Sequence, residues 1–355
     1  MAPAHRARRE GGDRVSAAPV YGYTFAEGRE AELPALREVV ASFPTALDAW
    51  RPAWRRVLLA GIGASGAALA SPLYALREAG VDASRTDCSD QPSVLGGPDM
   101  VLALSQSGRS RETTDLVARF RAAGVPTAAL TNAATSPLKD AAGTTYSVGD
   151  HPDSRVSTVG FVVTYAALGM LTDQLTRGHT HPGWAHVAEA VEETLSGAAG
   201  ALADFAAGPL ARGSLDVVAS APQLTTAEAV ALLFREGPLV PATACGTRTY
   251  LHGPMDVASA GTSHVVIGAE REAALARQLT QKPTGVLTVM ERSVTPLPGV
   301  LAVRLPEGFT PTQRALVEVC VLQELVARVA EIRDEPVDKV AFAREDTKIA
   351  ALAEL

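Results

Sequence analysis

The segment LSQSGRSRET, Leu104 to Thr113, places three hydroxyls (Ser105, Ser107, Ser110), one amide (Gln106) and Gly108 in six consecutive positions. It leaves an apolar run, Asp99 to Leu104, and enters a stretch with helical spacing, Ser110 to Ala123. A helix N-terminus offers unsatisfied backbone N–H groups at the positive end of the helix dipole, and that combination suits a phosphate. The hydroxyls add donors, and Gly108 lets the backbone approach the anion closely. A plainer reading exists: Ser107 or Ser110, with Glu112 nearby, would make an ordinary helix cap. Five such residues exceed what a cap needs, so an anion cradle stands beside the cap as a reading of this loop. Upstream, the glycine turn GIGASG (61–66) follows another short apolar run, Arg56 to Ala60. It looks superficially like a dinucleotide turn, but no acidic residue ends the run at Asp99 to Leu104, taken as the second strand, to hold a ribose. The turn, with Gly63 and Ser65, reads instead as another wall of the same pocket.

Elements that position such loops are visible along the chain. Short apolar runs at 56–60, 99–104, 127–130 and 144–148 alternate with helical segments at 67–80 and 110–123. Continuous apolar strands separated by helices imply a parallel sheet covered on both faces. The cadence returns after residue 187: a helix near 187–206, a strand at 215–220, a helix near 225–236, strands at 263–268, 285–290 and 300–305, and a long helix at 312–330. Two halves with one cadence suggest a tandem duplication of an α/β unit. The second half replaces the serine-rich loop with IGAEREAA (267–274), which carries three charges and no serine. One phosphate site per chain, in the first half, is therefore expected.

The 355 residues fit two domains, each able to bury a core. With 39 acidic residues against 32 Lys and Arg, the net charge of −7 disfavours nucleic acid as a partner. Cys88, Cys245 and Cys320 are too few and too scattered for a disulfide framework or a zinc knuckle and fit a reducing cytoplasm. The uncharged stretch Val156 to Thr172 is too short and too polar for a membrane span and reads as a buried helix. The basic N-terminus lacks the apolar core of a secretory signal, and residues 1–16 read as a disordered tail. His179, His181 and His186 lie in a polar linker without a neighbouring carboxylate or cysteine, so no metal is expected there.

GIGASG, LSQSGRSRET, ALTNAATSPL (129–138) and VST (156–158) resemble, in order and spacing, the sugar isomerase (SIS) domain. The second half resembles the second SIS domain of the isomerase part of glucosamine-6-phosphate synthase. AEAVALLFRE (227–236) and the histidine of LHGPM (251–255) match the spacing of that family's catalytic glutamate and histidine. The implied fold is α/β, two tandem SIS domains, each a parallel sheet flanked by helices on both faces. The implied division is an N-terminal helical segment at 17–48, a phosphate-binding domain at 49–190, a second domain at 191–335, and a tail at 336–355 contributing to the active site.

What the resemblance implies for the site is specific. Ser105, Gln106, Ser107 and Ser110 would hold a sugar phosphate, with Gly63, Ser65, Ser157 and Thr158 completing the pocket. Glu236 would shuttle a proton between C1 and C2, work that suits a carboxylate in a partly dry pocket. His252 would assist ring opening from the partner subunit, which makes a homodimer the expected assembly. Lysines that the family carries beside the VST-like loop and before the glutamate are Val159 and Leu233 here. For the family's Schiff-base lysine the tail offers Lys339, Arg344 and Lys348; Arg344 is closest in position, but a guanidinium forms no imine, and Lys348 is the choice. No glutaminase domain is recognisable. The expected activity is aldose–ketose isomerisation of a 6-phosphorylated sugar, with or without ammonia at C2, by a cytoplasmic enzyme needing no metal or organic cofactor. The alternative is a non-catalytic sugar-phosphate sensor.

Overall fold

The structure, a computed structural model, describes residues 22–47, 55–89, 97–211, 213–342 and 347–349. The expected tail at 1–16 and Arg344 lie outside the described residues.

Helices α1 (Phe25–Ser42) and α2 (Pro44–Leu47) lead into the first sheet. Its elements are β1 (Arg56–Ala60), α3 (Ala64–Ala68), α4 (Ala70–Glu78), β2 (Asp82–Thr86), β3 (Met100–Leu104), α5 (Arg111–Ala122), β4 (Thr127–Thr131), α6 (Pro137–Ala141) and β5 (Thr144–Ser147). All pairings are parallel and the strand order is β2-β1-β3-β4-β5. Every residue of β3 and β4 is buried, as their unbroken apolar runs require of strands covered on both faces.

Helices α7 (Val159–Arg177) and α8 (Val187–Ala207) cross to the second sheet. There follow β6 (Ser214–Ala219), α9 (Leu224–Glu236), β7 (Ala242–Gly246), α10 (Thr247–Tyr250), β8 (Thr262–Gly268), α11 (Glu270–Leu279), β9 (Gly285–Glu291), β10 (Leu301–Leu305) and α12 (Pro311–Ile332). This sheet is also parallel, in the order β10-β9-β8-β6-β7. Counted from β6, it repeats the 2-1-3-4-5 order of the first sheet. The duplicated cadence of the sequence is thus a duplicated topology.

The inner faces of the two sheets share one core. Leu59, Leu102 and Leu130 from the first sheet join Val217, Val265 and Leu287 from the second through α7, α8, α9 and α12. The uncharged stretch expected to be a buried helix is α7, in which every residue from Val159 to Asp173 is buried. Polar contacts register the lobes. Thr225 on α9 donates to the Ala67 carbonyl at 3.0 Å and accepts from the Ser71 amide at 2.9 Å. Arg85, on β2, forms a two-pronged pair with Glu228 on α9 at 2.6 and 2.8 Å. These contacts fix α9 against the loop that follows β1, and so fix what its C-terminus can face.

The structure departs from the sequence reading at the sheet edges. β2 (DASRT) and β7 (ATACG) carry no apolar run, because each is an edge strand with half-exposed polar positions. The helix expected over 67–80 is two pieces, α3 and α4, offset at Leu69.

Candidate active site at the first switch point

In an open 2-1-3-4-5 sheet the chain leaves β1 and β3 in opposite directions, which opens a crevice beyond their carboxyl ends. A cavity of about 850 Å³ occupies that crevice. Ile62 to Ser65 after β1 and Ser105, Gln106, Ser107 and Ser110 after β3 form two of its walls. The loop expected to bind phosphate and the glycine turn are therefore one pocket.

The loop is held rigidly. Gly108 sits at φ +63°, and a Cβ there would fall 2.2 Å from Ser136 Oγ, so only glycine closes this turn. The Gly108 carbonyl accepts from the Leu138 amide at 3.0 Å, and the Gln106 carbonyl accepts from the Asn132 amide at 2.9 Å. Ser105 and Ser110 are buried, their hydroxyls 3.3 Å apart. Ser110 holds the N-cap position of α5 but makes no side-chain capping bond. The plain capping reading of this serine fails; its hydroxyl is turned into the cavity wall.

The third wall is the segment 151–157 ahead of α7. Asp153 organises it: Oδ1 accepts from the Thr158 amide at 2.9 Å, and Oδ2 accepts from Ser157 Oγ at 2.7 Å. Gly160 lets Gln106 and Asp153 close over the start of α7, since a Cβ there would lie 2.5 Å from Gln106 Nε2 and 2.3 Å from Asp153 Oδ2. Ser157 lines the cavity, but Thr158 does not. The Thr158 hydroxyl is buried 2.8 Å from Ser154 Oγ, so this residue braces the wall rather than forming it. Sequence reasoning missed Asp153; its signal is an acidic residue just before an apolar helical run.

Glu236 enters from the second lobe. It is the last residue of α9 and lines the cavity with Arg235 and Leu239. Arg155 closes that corner, donating from Nη2 to the Glu236 carbonyl at 2.6 Å and from Nε to the Val337 carbonyl at 2.8 Å. A cation at a helix C-terminus is favourable, and it offsets the unfavourable placement of a carboxylate there.

The C-terminal tail supplies the last wall. Arg111 donates its amide to the Thr347 carbonyl at 3.3 Å, and Ile349 donates its amide to the Arg109 carbonyl at 2.8 Å. These bonds flank an antiparallel bridge between Ser110 and Lys348. Lys348 Nζ lies 3.1 Å from Ser110 Oγ and 3.3 Å from Ser107 Oγ. Lys339 is exposed and outside the cavity.

His252 is not brought to this cavity within its own chain. It stands exposed in the turn after α10, its amide donating to the Thr249 carbonyl at 3.0 Å. The second lobe's equivalent crevice is built differently. Six residues (105–110) separate β3 from α5, but only Ala269 separates β8 from α11. There the buried Glu272 side chain accepts from the Ala269 amide at 3.0 Å, placing a carboxylate where the first lobe presents serines.

Two minor readings also meet the structure. GIGASG has the full G-x-G-x-x-G spacing, and the true second strand, β2, is followed by an acidic residue, Asp87. The 99–104 run is the third strand, so its end does not bear on a dinucleotide ribose. Asp87 nevertheless does not line the cavity, and its Oδ1 accepts from the Ser89 amide and hydroxyl at 3.0 and 2.8 Å. His181 accepts from the Gly183 amide at 3.1 Å and faces Gln313, a capping role within its own turn.

Comparison with known proteins agrees with this geometry. Residues 53–176 match the family model described as the SIS domain. No curated protein sequence matches the chain. Among solved structures, the C-terminal domain of glucosamine-fructose-6-phosphate aminotransferase from Francisella tularensis superposes with a TM-score of 0.76 at 15% identity, covering 90% of this chain and 99% of that one. Glucosamine-6-phosphate deaminase from Thermotoga maritima gives 0.74 at 17% identity over 92% and 99%. Tagatose-6-phosphate ketose/aldose isomerase from Escherichia coli gives 0.73 at 15% identity over 93% and 99%. The SIS-domain match falls on the first lobe, and the two sheets together share the fold of these solved structures.

Proposed function

We propose that this protein is a sugar-phosphate isomerase, acting on a 6-phosphorylated ketose or aldose as an amino-sugar-phosphate deaminase/isomerase or a related deglycase. The observation that supports it is the shared cavity: Ser105, Ser107 and Ser110 line the same space as Glu236 from the other lobe. A phosphate on the serines and the α5 N-terminus directs the sugar's C1–C2 end toward the glutamate. Glu236 removes the proton from the carbon beside the carbonyl or imine and returns it to the neighbouring carbon through an enediol or enolamine. In the deaminating case water adds to the imine carbon and the C–N bond then breaks, releasing ammonia and giving the ketose phosphate.

Ring opening needs a proton relay, which we assign to His252 of the partner subunit in a homodimer. Its exposure and its distance from its own chain's cavity fit that arrangement, as do the exposed Leu239, Val340 and Phe342 at the cavity mouth. Free cysteines at 88, 245 and 320 fit a cytoplasmic setting.

A second reading, a sugar-phosphate sensor without turnover, is favoured by Val159 and Leu233 standing where the resembling enzymes carry lysines. One experiment separates the two. The protein is incubated in deuterated water with glucosamine 6-phosphate, galactosamine 6-phosphate and fructose 6-phosphate, and ammonia release and deuterium at C2 are followed. The isomerase reading expects exchange with at least one of them, lost in Glu236→Gln while binding persists. Thermal stabilisation without exchange supports the sensor, and absence of both removes the phosphate reading.

A further inference from the structure

We infer that Lys348 is a ligand of the substrate's phosphate group, recruited from the C-terminal tail, and not a nucleophile toward its carbonyl. The inference rests on the phosphate reading of the Ser105–Ser110 loop. Its evidence is the position of Nζ, 3.1 Å from Ser110 Oγ and 3.3 Å from Ser107 Oγ, in the wall that carries the hydroxyls. Those hydroxyls accept from the ammonium through their oxygens and retain their protons for an anion, so one group of atoms offers both charge and O–H donors.

The placement is not an accident of a long side chain. Residues 347–349 pair by main-chain bonds with Arg109 and Arg111 on both sides of the Ser110–Lys348 bridge, so the backbone fixes which side chain meets the cradle. An imine-forming lysine must reach C1 or C2, at the far end of the carbon chain from the phosphate, and must be uncharged when it attacks. A lysine seated among phosphate-binding hydroxyls meets neither need. Arg155 and Arg235 also line the cavity, but it is Lys348 whose Nζ lies within hydrogen-bond distance of the Ser107 and Ser110 hydroxyls.

Titration calorimetry on the full chain tests this with inorganic phosphate, fructose 6-phosphate and fructose. In the wild type the two phosphates bind. Lys348→Met weakens both about 10- to 100-fold, the range of a charge-assisted hydrogen bond, and Lys348→Arg restores most of the loss. Phosphate also slows deuterium exchange of the Ile349 amide, because an anion shared by Lys348 and the loop tightens the tail. Equal phosphate affinity in wild type and Lys348→Met overturns the inference and leaves the serine cradle standing. A reduced sugar-phosphate adduct on Lys348 after borohydride treatment of the wild type with fructose 6-phosphate also overturns it. Failure of the wild type to bind either phosphate overturns both this inference and the reading beneath it.

Discussion

Arg155 and Glu236 meet across the two lobes through the backbone: the guanidinium donates to the glutamate's carbonyl oxygen at 2.6 Å and, from Nε, to the Val337 carbonyl at 2.8 Å. One side chain thus anchors both the end of α9 and the start of the tail. Arg155→Met removes the charged partner of two carbonyls, at a cost of about 1.5–3 kcal/mol. Thermal melting reads the loss of stability, and steady-state kinetics on whichever sugar phosphate shows exchange read a larger fall in kcat than rise in KM. Arg155→Lys restores little of either, since an ammonium lacks the planar fork.

Gly160→Ala tests the fit of the third wall. At an ordinary helical position alanine is about 1 kcal/mol better than glycine. Here the added carbon would lie 2.3 Å from Asp153 Oδ2 and 2.5 Å from Gln106 Nε2. The variant is expected to melt lower than wild type and to lose sugar-phosphate affinity about tenfold, as Gln106 is pushed off its seat. A variant that melts higher with unchanged affinity contradicts the described packing.

Glu32 gives a pH signature away from the chemistry. It is buried on α1 against α12, and burial pushes its carboxyl up to about 8, with Arg29 opposing. Its folded-state value lies above its unfolded one, so the native state holds a proton that the unfolded chain releases. The associated stability is fully present below about pH 4.5 and is lost as pH rises through about 8. The slope approaches about 1.4 kcal/mol per pH unit between those limits. Denaturant titrations of wild type and Glu32→Gln from pH 5 to 8.5 should show this decline in the wild type and its removal in the variant.

Glu272→Ala leaves the Ala269 amide without its carboxylate partner. The expected loss is about 1–2 kcal/mol of stability, measured by denaturant titration. Phosphate affinity at the first lobe should be unchanged, because Glu272 lies outside that cavity.

The serine loop was legible because dense polar residues between a buried strand and a helix have few other uses. Glu236 was singled out by the family resemblance, which its spacing to His252 carries, and by its awkward seat at a helix end, and it stands in the cavity wall. Arg155 was not, since its partners are backbone carbonyls 81 and 182 residues away, and a carbonyl leaves no mark on a sequence. The edge strands β2 and β7 escaped because half-exposed polar positions erase the pattern that marks β3 and β8. The role of Thr158 was misjudged for a related reason: alternation along a chain does not say whether a hydroxyl faces a cavity or the helix beneath it.

The side chain of Glu272 makes the second crevice a site whose guest is tethered to the host. Its order owes nothing to metabolite supply, whereas a ligand entering the crevice of the first lobe would add to the stability of the fold. A ligand that filled the first would bear on both halves of the duplicated molecule, because the end of α9 forms part of its wall.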